Sequence, residues 1–317
     1  MLLLTTALSR AAEVSTDEQL MQAADGYRLS DLRRFLPALP DNANRSYFSG
    51  KLALAEYRHA DADKLSARCK QQAHTALERS RCAELAAEAT AMAMAITSDD
   101  LARLRMLSTL RARLDTAVQS DARNVRARQL LARFYRITPW YLGGGGEAAK
   151  RTIQIAVALA PNRGDELRGI DAYDAQQWSG AIGYLQRVVA RDGNRAEAAY
   201  YLALADDKNG DRRRAISVLT TTVAAHPEFW DAQFQLGTLS LDSDPAFAAQ
   251  VLTRFSAAVT PGPKRLASAW YSIGSAEEKL GHGDAALRAY RTALRYKPGH
   301  NESQAAVQRL TRGARRS

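Results

Sequence analysis

The sequence predicts an all-α fold, an α-α superhelix (solenoid) in which helical hairpins stack side by side, and three observations carry that reading. Self-similar segments recur at a step of about 34 residues, a period that marks a repeat array. Within each segment apolar residues fall three and four apart, the spacing of one helix face. Prolines then stop the segments at matching offsets, at Pro161, Pro227, Pro261 and Pro298.

The clearest unit runs from Ala267 to His300. In its first helix Trp270, Ile273, Gly274 and Glu277 share a face, and Gly274 removes a side chain where the second helix must cross closely. Gly281 supplies the turn, Asp284 is placed to cap the second helix, and Ala286, Leu287, Tyr290, Ala293 and Leu294 form its apolar stripe up to Pro298. One such hairpin leaves apolar surface on both sides and needs neighbours to be stable. The spacing of Trp270, Ile273, Gly274, Ala286, Tyr290, Ala293 and Pro298 resembles that of the tetratricopeptide (TPR) repeat. The resemblance implies a non-catalytic scaffold that binds a protein or peptide in a concave groove lined by successive first helices.

The rest of the chain is read against this unit, in order. Residues 1–14 hold a short apolar run without the basic start of an export signal, so the segment reads as a clipped or mis-started leader, and the compartment stays open between exported (periplasmic) and cytoplasmic. Residues 15–123 read as degenerate helical repeats: a turn at Asp25-Gly26, then Leu52 and Ala53 at repeat positions but with no glycine turn after them. Ala73 to Ala95 is continuously helix-forming, its Met92 and Met94 reading as core filling, and Asp99 and Asp100 cap the helix that follows. Residues 124–300 read as the repeat array, with Gly169, Ala203, Gly210 and Gly237 at small or turn positions and Asp244-Pro245 opening a helix. Residues 301–313 read as a capping helix and 314–317 as a basic tail. Between Tyr135 and Ala149 the link is longer than the repeat needs and carries Gly143–Gly146, a flexible extended turn. This end, FYRITP followed by a Gly-rich loop, resembles uncharacterised bacterial TPR proteins, often exported ones.

Composition bounds the function more weakly. The chain has 317 residues, 46% hydrophobic, with a formal charge of +10 and 36 arginines against eight lysines. That charge suits nucleic acid or another anionic surface, but an arginine excess alongside abundant alanine also follows from base composition alone. No run of 18 apolar residues occurs, so no transmembrane helix is expected. Cys69 and Cys82 lack the CxxC spacing of structural zinc sites and read as helix-packing residues, with a disulfide and a metal site as the alternatives.

No nucleophile elbow, HExxH, Rossmann or kinase signature is present, so no catalytic, cofactor-binding or metal-ligating residue is assigned. The glycines before Glu147 do not follow the P-loop order, and an acid at the helix start repels phosphate. His226, His282 and His300 fall at repeat turns and read as surface residues, as do the acid pairs Asp206-Asp207 and Glu277-Glu278 beside Lys208 and Lys279. What remains is the groove. The TPR resemblance carries groove positions onto Tyr173, Tyr200, Leu204, Phe234 and Tyr271, a row of rings suited to an extended or helical segment. The same rings also suit packing between neighbouring repeats. Tyr200 and Leu204 stand where chaperone-tail-binding TPR domains carry Lys and Asn, which sets that subclass aside. Arg126, Arg133 and Arg136 are placed to form a basic patch for an acidic partner.

Overall fold

The computed structural model describes residues 16–313, so the leader and the basic tail lie outside the described residues. Within them the chain is all helix, with no strand. Helices α1 (16–25) and α2 (Leu29–Phe35) form the first hairpin, followed by α3 (Ala43–Ala55) with α4 (His59–Gln72), and α5 (Ala76–Ile96) with α6 (Asp100–Ser120). Then come α7 (Val125–Ile137) with α8 (Gly146–Leu159), α9 (Gly164–Asp174) with α10 (Trp178–Arg191), and α11 (Ala196–Lys208) with α12 (Arg212–Ala225). The last hairpins are α13 (Trp230–Leu239) with α14 (Pro245–Ala258) and α15 (Pro263–Lys279) with α16 (Gly283–Tyr296), and α17 (Asn301–Gly313) packs on α16.

Local chemistry explains the helix starts. Thr75 and Glu78 form a reciprocal capping box, Asp99 accepts from the amides of Leu101 and Ala102, Asn124 from Ala127, and Asp244 from Phe247 just ahead of Pro245. Asp284 does not cap α16. The preceding turn closes with His282 N–H on the Glu277 carbonyl, so the helix begins at Gly283 and Asp284 falls inside its first turn, where a negative charge still faces the helix amides.

Packing follows one rule within the hairpins. A glycine on the first helix receives a large side chain from the second: a Cβ on Gly274 would lie 2.6 Å from Tyr290 Cε1, and Gly169 and Gly237 meet Leu185 and Leu252 in the same way. The turns also share one closure. In five hairpins three successive amides bond back to the first helix in the same pattern, and the middle residue is left-handed: Tyr27, Tyr57, Gln176, Gly210 and Gly281. Tyrosine thus stands in the first two turns where two later ones carry Gly210 and Gly281; Asp25-Gly26 still marks the first turn, and the second has no glycine to mark it.

Other expectations need correcting. Cys69 and Cys82 are joined by a disulfide, because the α4–α5 connection brings their Cα atoms to 5.5 Å. The Gly-rich link is pinned: Gly144 and Gly145 amides donate to the Pro139 and Tyr135 carbonyls, and a Cβ on Gly144 would sit 1.7 Å from the Thr138 carbonyl oxygen. His226 and His300 are buried, the latter accepting from the Ser303 amide at the start of α17. Asp206 is buried as well, beside Arg214.

Candidate functional site

The first helices α7, α9 and α11 pack side by side, as do α13 and α15. Arg126 on α7 bonds Glu197 on α11, two hairpins further on, at 2.9 and 3.0 Å, so this face is concave and tightly wound. The same guanidinium reaches Glu88 on α5, whose carboxylate also takes Lys51 Nζ from α3 at 2.6 Å. Glu84 alongside accepts the Tyr47 hydroxyl and the Asn124 amide, each at 2.9 Å. Four hairpins therefore meet in one charged network. Burial works against the Glu88 and Glu197 carboxyls, but Lys51 and Arg126 beside Glu88, and Arg126 beside Glu197, outweigh it and hold both below the usual carboxylate range. For Glu84 burial prevails over Lys51 and its carboxyl goes up.

A second cluster lies between α7, α9 and α11. Arg133 pairs with Asp174 at 3.3 Å and bonds the Tyr201 hydroxyl, while Arg136 grips Asp171 with two bonds at 3.0 and 2.8 Å. Burial pushes the Asp174 carboxyl up to about 6, with Arg133 opposing. The expected basic patch is corrected on this point: Arg126, Arg133 and Arg136 each spend their charge on carboxylates of the chain itself.

A third cluster joins the first two hairpins to α11, α13 and α15. Tyr27, in the α1–α2 turn, stacks on Phe229 with ring centroids 3.7 Å apart and planes 9° from parallel, and Tyr200 packs on the same Phe229. The Gly26 carbonyl accepts from His226 Nδ1 at 2.7 Å, and Glu228 accepts from the Ser30 amide and from Arg33, at 2.7 and 2.6 Å. In the α3–α4 turn the Tyr57 hydroxyl donates to Asp231 at 2.6 Å, and Arg265 pairs with the same oxygen while covering the Phe234 ring at 4.5 Å. Ile96, at the end of α5, packs against Gly262. Successive turns of the superhelix thus touch, some 200 residues apart in sequence for His226 and Gly26.

The five candidate groove residues are not one open row. Tyr200 and Phe234 lie inside this third cluster, half-buried. Tyr173 and Leu204 sit together in the cluster of α9 to α11, Tyr173 packed against Trp178 and edge-on to Tyr201. Tyr271 stands apart at the C-terminal end, between Tyr290 and His300. Tyr27 and Tyr57 were not singled out from the sequence; setting their positions against Gly210 and Gly281 is the signal that finds them. The link after α7 adds an exposed apolar edge, with Ile137, Trp140 and Tyr141 at 59%, 81% and 68% exposure. Among the described residues no group of three or more His, Cys, Asp or Glu is placed to hold a metal, and no helix is long and apolar enough to cross a membrane.

Stacked hairpins whose first helices pack on one another, three of them with a glycine at the crossing, define a helical-repeat solenoid. No family model matches the chain, and no curated protein matches it. Among solved structures it is similar to human IFIT1, solved as a dimer with m7Gppp-AAAA, with TM-score 0.64 and 13% identity over 87% of this chain and 64% of that one. It is also similar to the APC/C hetero-tetramer Cut9-Hcn1, with TM-score 0.59 and 12% identity over 93% of this chain and 54% of that one. MamA of MSR-1 shares 22% identity over 47% of this chain and 84% of its own, with TM-score 0.43. The chain has the TPR fold, a superhelix of stacked TPR hairpins.

Proposed function

We propose that the chain is a non-catalytic scaffold that holds a segment of a protein partner along the inner face of its first helices. One observation carries this reading: the inner edge of α11, α13 and α15 already holds two peptide turns, with an aromatic ring stacked on Phe229 and a hydroxyl bonded to Asp231. A surface that accepts aromatic-bearing turns from its own chain has the rings, the paired acid and the depth to accept them from another. The half-buried rings of Tyr173 and Tyr271 extend that chemistry to either side. The likeness to TPR proteins supports the same use of the fold.

The test is capture from the source cell with the full chain as bait, compared with a Tyr173→Ala, Tyr271→Ala variant of matched helix content. Loss of a co-purifying chain from the variant is expected; an identical set of captured chains from both would overturn the groove as the docking face. The alternative, binding of nucleic acid or another anionic surface through the arginine-rich faces and the basic tail, predicts salt-steep affinity for generic DNA or RNA that this reading does not.

A further inference from the structure

We propose that the Tyr27 and Tyr57 turns are a releasable clasp: they hold successive turns of the superhelix together, shield Tyr200, Phe229 and Phe234, and give way to a partner segment whose own tyrosine takes their place. The last clause rests on the scaffold reading; the clasp itself does not.

The geometry separates two kinds of contact. Along the chain, each hairpin packs on the next helix against helix. Between the superhelical turns no pair of helices among the described residues packs face to face as neighbouring hairpins do. The polar contact is carried by the Tyr27 and Tyr57 turns and the start of α2, through one stacked ring, the Tyr57 hydroxyl, the Gly26 carbonyl and the Glu228 bonds to Ser30 and Arg33, over apolar side chains that include Tyr57 on Phe255 and Ile96 on Gly262. Arg33 is 45% exposed, so its pairing is open to solvent and salt. Breaking this contact leaves every hairpin stacked on its neighbours. Its opening costs the apolar contacts at the seam but no helix-on-helix face between neighbouring hairpins.

The two tyrosines are also unusual at their own positions. Both are left-handed, with φ of 50° and 61°, a conformation that suits glycine and strains a bulky residue. The equivalent positions in later turns are Gly210 and Gly281, or the exposed Gln176 at φ 59°. An identical turn closure forms with each, so the closure does not require an aromatic ring. What the rings add lies across the seam: a stack on Phe229 and a bond to Asp231, whose second partner, Arg265, covers Phe234. Release exposes a ring face, a carboxylate and a guanidinium together, a set that recognises a tyrosine-bearing segment.

The experiment replaces both residues by what the later turns carry. In the full chain with Tyr27→Gly and Tyr57→Gly the turns keep their closure, and Gln176→Gly serves as the control for the turn alone. Amide exchange in residues 230–236 and 263–269 is expected to quicken roughly tenfold or more in the double variant, with a larger radius of gyration and unchanged helix content; the control should match the parent. A Glu228→Gln variant, which leaves both turns untouched, should quicken exchange in the same segments. Exchange and scattering identical to the parent in both variants would overturn the clasp. A synthetic peptide of residues 19–34 is then titrated in trans. Binding to the double variant and not to the parent supports replacement by a partner segment; an opened seam that takes no peptide overturns replacement, while the clasp stands and the scaffold reading rests on its own capture test.

Discussion

Replacing Arg126 by Met tests whether the inner face is closed by charge. The side chain joins Glu88 and Glu197 across four hairpins, and Glu88 keeps Lys51 when Arg126 is gone, so Glu197 is the carboxylate that loses its bonded cation, with Arg163 and Arg133 acting on it through charge alone. Removing one member of a buried pair costs about 3 to 5 kcal/mol, and the lower end applies because Arg126 keeps 27% exposure. For a chain of this length that is a fall of roughly 6 °C in melting temperature, at about 2 °C per kcal/mol. The sign of the pH dependence is opposite in parent and variant. In the parent Glu88 and Glu197 are held low, so their contribution is present above the ordinary carboxylate range and is lost as pH falls through it. In the variant only Arg163 and Arg133 are left to oppose burial at Glu197, its carboxyl rises relative to the parent, and protonation relieves part of the cost. The gap in melting temperature, read by circular dichroism, should therefore narrow between pH 7.5 and pH 5. A fall under about 2 °C at pH 7.5, or a gap that stays the same at both pH values, refutes a buried network as the closing element.

Two further substitutions test the hairpins themselves. Gly274→Leu drives a side chain into the space that Tyr290 fills, at an overpacking cost of about 1 to 3 kcal/mol, and faster amide exchange in α16 and α17 should accompany it; unchanged stability and protection would count against the close crossing. Converting Cys69 and Cys82 to serine opens a loop with a sequence separation of 13, worth about 3 kcal/mol in the chain-entropy picture. Thiol counting on the denatured, unreduced parent should find no free cysteine, and two free thiols would refute the bridge.

How far the sequence could be read follows from where each feature gets its cause. From Asn162 to His300 the causes are local: Gly274 is small because Tyr290 lies one hairpin-width away, and Asp244 with Pro245 starts a helix by its own amide chemistry. Those features are legible in a window of one repeat. The first two hairpins look degenerate for a different reason. Their turn residues are tyrosines chosen for contacts with Phe229 and Asp231, and nothing within 34 residues of Tyr27 or Tyr57 records that. The arginines follow the same logic. Arg126 reads as a solvated charge until the curve of the array brings Glu197 beside it, 71 positions away. That curve is the sum of small rotations between neighbouring hairpins, each set by side-chain volume at a crossing, so a little change per hairpin decides whether two turns touch. Groove positions counted within one repeat therefore say which side chains face inward, and the winding of the whole array decides whether an inward side chain meets a partner or another part of its own chain. Tyr200 and Phe234 are groove positions by that count, and their neighbours are Phe229 beside Tyr27 and Arg265 beside Tyr57.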